Sequence, residues 1–192
     1  MPLGHTNDDG HGAGEEGIVP RDPGPLFAPH SVAVLGASND PSKWGGDVAA
    51  RLLNGPASRP VYFIDRKGGL AHGRHTCSSL GELPAPVDLV VLAVPASGFK
   101  QAVDEALTAG AKAHVVVSAG LGETGREGRM RELSVVARVR AAGAVMIGPD
   151  CPGIADTTSG LSGLCIVAAT VNARSPTASE LRAGGIPRCT GR

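Results

Sequence analysis

Ser31-Val32-Ala33-Val34-Leu35-Gly36-Ala37-Ser38-Asn39 decides the fold, because an apolar run of strand length ends at a glycine and opens a loop of small residues. No polar residue alternates within the run after Ser31, so the strand is expected to be buried on both faces, as in a parallel sheet covered by helices. The period then changes. From Trp44 the apolar positions Val48, Ala49, Leu52 and Leu53 recur every three to four residues, and Asn54-Gly55-Pro56 reads as a helix stop. Val61-Tyr62-Phe63-Ile64 supplies a second strand. Leu89-Val90-Val91-Leu92-Ala93-Val94 is the most apolar run and the expected central strand, stopped by Pro95. A helix follows with Phe99, Ala102, Val103, Ala106 and Leu107 on one face, ending at Gly110, and Val115-Val116-Val117 forms the next strand. Thr124-Gly125-Arg126-Glu127 has the T-x-x-E pattern of a capping box ahead of a helix through Met130, Leu133, Val136, Ala137 and Val139. After Gly143, Val145-Met146-Ile147 gives a fifth strand. This alternation predicts an α/β domain with a Rossmann-like, open, mostly parallel five-stranded sheet and helices on both faces.

Outward from that core the texture weakens. Residues 1–29 carry acids, histidines, glycines and prolines with few large apolar side chains, a composition that cannot offset the entropy of ordering, so a flexible lead-in is expected. The domain is expected over residues 30–160 and an irregular tail over 161–192. A chain of 192 residues holds one compact domain with tails, or a domain and a fragment of a second. Basic and acidic residues balance at 18 each, and one Trp, one Tyr and three Phe give no material for a basic stacking groove, which argues against a nucleic-acid partner. No apolar run reaches membrane-spanning length and the first residues do not read as a leader, so a cytoplasmic protein with no membrane partner is expected. The four cysteines show no C-x-x-C spacing and are expected to be free thiols.

In open α/β sheets ligands sit outside the carboxyl ends of the strands, where strand order reverses. The loops 36–39, 65–69, 95–97, 118–120 and 148–153 can reach that edge. Gly36-Ala37-Ser38 precedes a helix start at Lys43-Trp44-Gly45-Gly46, so backbone N–H groups and the helix dipole favour an anion there. The G-x-G-x-x-G fingerprint is absent, since Ser38 and Pro41 occupy its second and third glycine positions. After the second strand, Asp65 suits a ribose hydroxyl while Arg66 and Lys67 suit an extra ribose phosphate, and Arg66 also reads as an ordinary solvated loop residue.

Four motifs in order carry a resemblance: Val34-Leu35-Gly36-Ala37-Ser38-Asn39, Ala93-Val94-Pro95-Ala96, Val117 through Gly125, and Ile147-Gly148-Pro149-Asp150-Cys151-Pro152-Gly153. Over about Pro29 to Leu161 the chain resembles the CoA-binding domain of NDP-forming acyl-CoA synthetases, the family of succinyl-CoA synthetase alpha subunits and ADP-forming acetate–CoA ligases. The resemblance implies that Gly36, Ala37, Ser38 and Asn39 wrap the diphosphate of coenzyme A, with Lys43, Trp44 and Gly45 opening the helix below. It implies Lys67 near the nucleotide end, Pro95 and Ala96 on one wall, Val117, Ser118 and Ala119 on the other, and Gly148, Pro149 and Cys151 towards the thiol end. The family usually has Asn at Asp150 and commonly Asn at Asp65, so this chain places two additional acids beside a polyanionic ligand.

The family relays phosphoryl through a histidine in a following domain and uses an ATP-grasp part. Neither is recognisable here, so the isolated chain is expected to be inactive as a ligase, with no catalytic residue of its own. It would depend on a beta-type subunit or downstream domains. The resemblance stops near Leu161, and the remaining residues read as a remnant of a second domain left by a truncated or shifted reading frame near Leu164. Two other classes stay open: a stand-alone CoA-binding carrier or sensor, and an NAD-binding oxidoreductase domain suggested by Asp65. His72, His75 and Cys77 read as a polar loop and no metal site is expected. His114 reads as a packed histidine, Cys151 as a small residue filling a tight turn, and Trp44 as packing at the sheet edge, with covering an adenine as its other use.

Overall fold

Each expected strand forms. The computed structural model describes residues 21–55 and 59–164, with β1 (Val32–Leu35), β2 (Val61–Ile64), β5 (Leu89–Leu92), β6 (Ala113–Val116) and β7 (Val145–Ile147) in one sheet. Their order is β2-β1-β5-β6-β7, and every adjacent pair is parallel. The run chosen as the central strand is central, and Leu89, Val90, Val91 and Leu92 are fully buried. Burying such side chains contributes roughly 1.5–3 kcal/mol each, which is why the uninterrupted apolar runs mark the middle of the sheet.

The helices divide between the faces as the strand periodicity dictates. Val32, Val34, Phe63, Leu89, Val91, Ala113 and Val115 point to one face, packed with α1 (Gly24–Phe27), α2 (Trp44–Asn54), β8 (Gly153–Asp156) and β9 (Leu161–Leu164). Ala33, Leu35, Ile64, Val90, Leu92 and Val116 point to the other, against α3 (Phe99–Thr108) and α4 (Arg126–Ala141). Arg138 on α4 pairs with Asp104 on α3 at 2.7 Å, tying the two helices together.

Five features depart from the expectations. Residues 21–29 are not a featureless lead-in: α1 forms there and Leu26 is 5% exposed in the core, because one leucine beside Pro23 and Pro25 suffices to anchor a short turn. The rest of that segment lies outside the described residues. At the other end, β9 pairs antiparallel with β8 and packs on α2, so the ordered chain continues past Leu161, while 165–192 lie outside the described residues. The capping box does not form. Gly125, at φ +115, lets the chain turn into α4 one residue later, Thr124 Oγ1 donates to the Leu121 carbonyl at 2.6 Å, and Glu123 accepts the Gly120 and Leu121 N–H groups. Cys77 is disulfide-bonded, so among the described cysteines only Cys151 is a free thiol; sequence spacing carries no signal for such a pairing. Finally, β3 (Leu70–Ala71) and β4 (Arg74–His75) form a small hairpin turned by His72 and Gly73, both at positive φ, and Cys77 bridges the outer side of β2 beside Ile64.

His114 is fully buried in β6, its Nδ1 3.3 Å from the Val145 carbonyl and its Nε2 without a partner among the described residues. Burial pushes its pKa below the ordinary histidine value. The unfolded chain therefore takes up a proton that the folded chain resists as pH falls below about 6.5. Stability is expected to be full at pH 8 and to fall by up to about 1.4 kcal/mol per pH unit in the acid range. His114→Leu should lose that share of the slope without losing stability at pH 8, since it removes an unpartnered buried nitrogen. Urea denaturation of both proteins at pH 8 and pH 5 checks this; identical slopes would refute it.

Candidate functional site

The strand order reverses between β1 and β5, because the chain leaves β1 for one neighbour and later returns to the other. A cleft of about 300 Å³ opens at that place on the carboxyl edge, lined by the ends of β1, β2 and β5 and by the start of α3. Leu35, Gly36, Ile64 and Val94 form its floor, Pro95, Ser97 and Gly98 one wall, and Asp65, Arg66 and Glu105 its charged rim. Its volume is at the low end of small-molecule sites, enough for one end of a long ligand.

Gly36 is required by its neighbours. Its φ is +89, and a Cβ there would lie 2.4 Å from the Ala93 carbonyl oxygen. The Gly36 and Ala37 N–H groups both donate to the Ile64 carbonyl, at 3.0 and 3.2 Å, so they secure the turn to β2. The cradle read from sequence thus narrows to Ser38 and Asn39, whose N–H groups have no hydrogen-bond acceptor among the described residues. Ser38 Oγ accepts the Asp40 N–H, and Asn39 uses its whole amide on the β3–β4 hairpin, donating to Leu70 O at 2.7 Å and accepting from His72 N–H at 2.6 Å. His72 Nε2 reaches the Gly46 carbonyl at 3.0 Å, completing a clasp between hairpin, loop and helix.

Below the loop, α2 starts at Trp44 with Lys43 as its N-cap and no side-chain cap, leaving the Trp44 and Gly45 N–H groups without an acceptor among the described residues and the positive end of the dipole open. Ser42 hydrogen bonds hold the Asp40 carboxyl below the usual carboxylate range, so a negative charge already sits one turn away. Trp44 is 53% exposed at this helix start, not packed as expected, because Gly45 and Gly46 take the contacts with the loop and leave the indole outside.

The remaining sequence-nominated residues divide. Pro95 lines the cleft and Ala96 lies behind it in the same turn. Val117 is buried, and Ser118, 3% exposed, accepts the Val94 N–H and donates to the Leu92 carbonyl, so its hydroxyl joins two strand ends. Ala119 is exposed beside it. Lys67 lies outside the cleft lining, whereas Arg66 borders it; its side chain is 56% exposed, as the solvated-loop reading expects, and its Nη1 also donates to Gln101 at 3.1 Å. Ser97 lies in the expected loop 95–97, whereas Gly98, Gln101 and Glu105 have no signal in the sequence, since residues at the start of a helix reach back to the sheet edge without any motif to mark them.

A sequence profile described as the CoA binding domain matches residues 30–157. The chain belongs to the CoA binding domain family. Among curated relatives of this CoA binding domain, the alpha subunit of ADP-forming acetate–CoA ligase II from Pyrococcus furiosus is 36% identical over 144 residues, covering 75% of this chain and 31% of the relative. A Pyrococcus horikoshii crystal structure superposes with a TM-score of 0.72 at 33% identity over 76% of this chain and 33% of the other. The dinucleotide-forming acetyl-coenzyme A synthetase 1 of Ca. Korarchaeum cryptofilum, determined with phosphate and ADP, gives 0.70 at 30% identity over 75% and 31%. The chain thus spans about a third of the length of these relatives.

In this CoA binding domain the loop from Gly148 to Gly153 follows β7, beside the end of β6 rather than in the cleft. Gly148 is at φ +92, Pro149 follows through a cis peptide bond, and Asp150 sits at φ +53 with its N–H donating to Ser118 O. The Cys151 thiol donates to the Val116 carbonyl at 3.2 Å, and burial pushes its pKa up, so it fills the turn as a neutral group. No group of His, Cys, Asp or Glu side chains among the described residues is arranged to hold a metal, and no described helix is long and apolar enough to cross a membrane.

Proposed function

We propose that this domain binds coenzyme A across the carboxyl edge of its sheet, as the CoA-holding part of an ADP-forming acid–thiol ligase of the cytoplasm. The observation that carries this reading is the juxtaposition of the uncapped start of α2, the Ser38 and Asn39 N–H groups and the cleft at the β1–β5 reversal. Two anion-favouring backbone elements adjoin a pocket sized for one nucleoside, so a ligand joining a nucleoside to a diphosphate fits. Ser38, Asn39, Trp44 and Gly45 would hold the diphosphate, while Gly36, Pro95, Ser97 and Gly98 enclose the nucleoside. The pantetheine arm would run over the exposed edge at Ala119 towards the turn that holds Cys151. Asp65 and Glu105 oppose a polyanion, so binding depends on the backbone donors and on Arg66.

Coenzyme A supplies the thiol that accepts the acyl group; this chain's part is to bind and orient it. We assign the phosphoryl relay and nucleotide hydrolysis to other polypeptide, either a beta-type subunit or further domains, as the naming of the relative as a subunit alpha suggests. Calorimetric titration of the full chain with CoA and with NAD at one salt concentration tests the binding step. Saturable binding of CoA and none of NAD is expected; NAD binding without CoA binding would overturn the proposal.

A further inference from the structure

Among the described residues Arg66 is the only cation lining the cleft, and side chains of α3 contact it there. Its Nη1 donates to Gln101 Oε1 at 3.1 Å and its Nη2 lies 4.0 Å from Glu105 Oε2. Glu105 is itself fixed, because its Oε1 accepts the Leu80 N–H at 2.7 Å. The guanidinium, still 56% exposed, is thus contacted by two α3 side chains at the mouth of the cleft. Next to it, Asp65 closes the end of β2, its Oδ1 accepting the Lys67 N–H at 3.0 Å. Lys67 itself is exposed and is not among the cleft-lining groups.

A carboxylate at the end of the second strand suits a ribose hydroxyl, and a guanidinium beside it suits a phosphomonoester, which it can meet with two parallel N–H donors. Side by side they fit a ribose that carries a phosphate next to a free hydroxyl. The contacts with Gln101 and Glu105 position the guanidinium before the ligand arrives. We infer that Arg66, and not Lys67, is the residue by which this cleft distinguishes a phosphorylated ribose from an unphosphorylated one. The inference rests on the coenzyme A reading and adds to it the residue that sets specificity.

The experiment compares CoA with dephospho-CoA by calorimetry at fixed salt on the full chain, on Arg66→Gln and on Lys67→Gln. The native chain is expected to prefer CoA by about tenfold or more, the worth of one charge-assisted contact. Arg66→Gln should bind the two ligands within about threefold of each other, and a urea unfolding midpoint close to that of the native chain reports that the variant is folded. Lys67→Gln should weaken both ligands alike and keep the ratio. Retention of the preference in Arg66→Gln, or its loss in Lys67→Gln alone, would overturn the assignment. Equal binding of both ligands by the native chain sinks the Arg66 assignment and leaves the CoA reading standing. Binding of neither sinks the CoA reading and the assignment with it.

Discussion

Gly45→Ala is expected to destabilise the domain by about 3 kcal/mol and to abolish measurable CoA binding. A Cβ at Gly45 would lie 1.9 Å from the Gly36 carbonyl oxygen and 2.8 Å from its carbon, both backbone atoms that no rotamer change can move. Relief requires α2 to withdraw from the loop after β1, which separates the two elements whose N–H groups are proposed to hold the diphosphate. Stability and binding therefore fall together, unlike the effect of removing a single ligand contact. Gly98→Ala is the control: it also borders the cleft, yet nothing stands within 4 Å of the added carbon and its backbone is ordinary helical geometry, so it should cost well under about 1 kcal/mol. Urea unfolding of the two variants decides the matter, and equal midpoints would show that the helix and loop are not wedged as described.

Phe99→Ala carries the other large effect. Phe99 is 1% exposed and packs in the core between the sheet and α3, directly after the turn Ala96–Gly98 that walls the cleft. Truncating a buried phenylalanine costs about 3–5 kcal/mol through lost transfer energy and the cavity left behind. For a domain of this size that corresponds to a fall in Tm of roughly 10 °C or more. The cavity would lie under the cleft wall, so CoA affinity is expected to weaken as well. A thermal melt with no significant shift would mean that the side chain is not the wedge that holds this turn.

What could be read from sequence was the part governed by apolar periodicity. The five strands and three longer helices follow from runs such as Leu89–Leu92 and faces such as Phe99, Ala102, Val103 and Ala106, because burial on both sides of a parallel sheet forbids polar interruptions. The first glycine turn was legible for the same reason, since a strand end followed by small residues has few other uses. The contents of the cleft were less legible. Arg66, Gln101 and Glu105 meet because β2 and α3 adjoin in space, and no local spacing encodes that meeting. Asn39 looked like a ligand residue, but its side chain serves the hairpin at Leu70 and His72, a pairing invisible until the hairpin exists. The T-x-x-E motif misled because Gly125 moved the helix start, so a pattern that describes one turn was outvoted by the turn beside it.

The bridge between Cys77 and the outer side of β2 has a consequence for how the domain can join other polypeptide. Phe63 accepts the Cys77 N–H at 2.9 Å and Cys77 accepts the Asp65 N–H at 3.0 Å, so the carboxyl-terminal end of the β2 edge is already paired where a foreign strand would add. At the far side, β7 is only three residues long and gives an incoming strand little to template on. The sheet is blunted at both ends, and runaway strand addition between copies is discouraged. A neighbour that completes a larger assembly is therefore expected to recognise this domain through side chains on its helices and loops, by shape and charge, more than by lengthening its ladder.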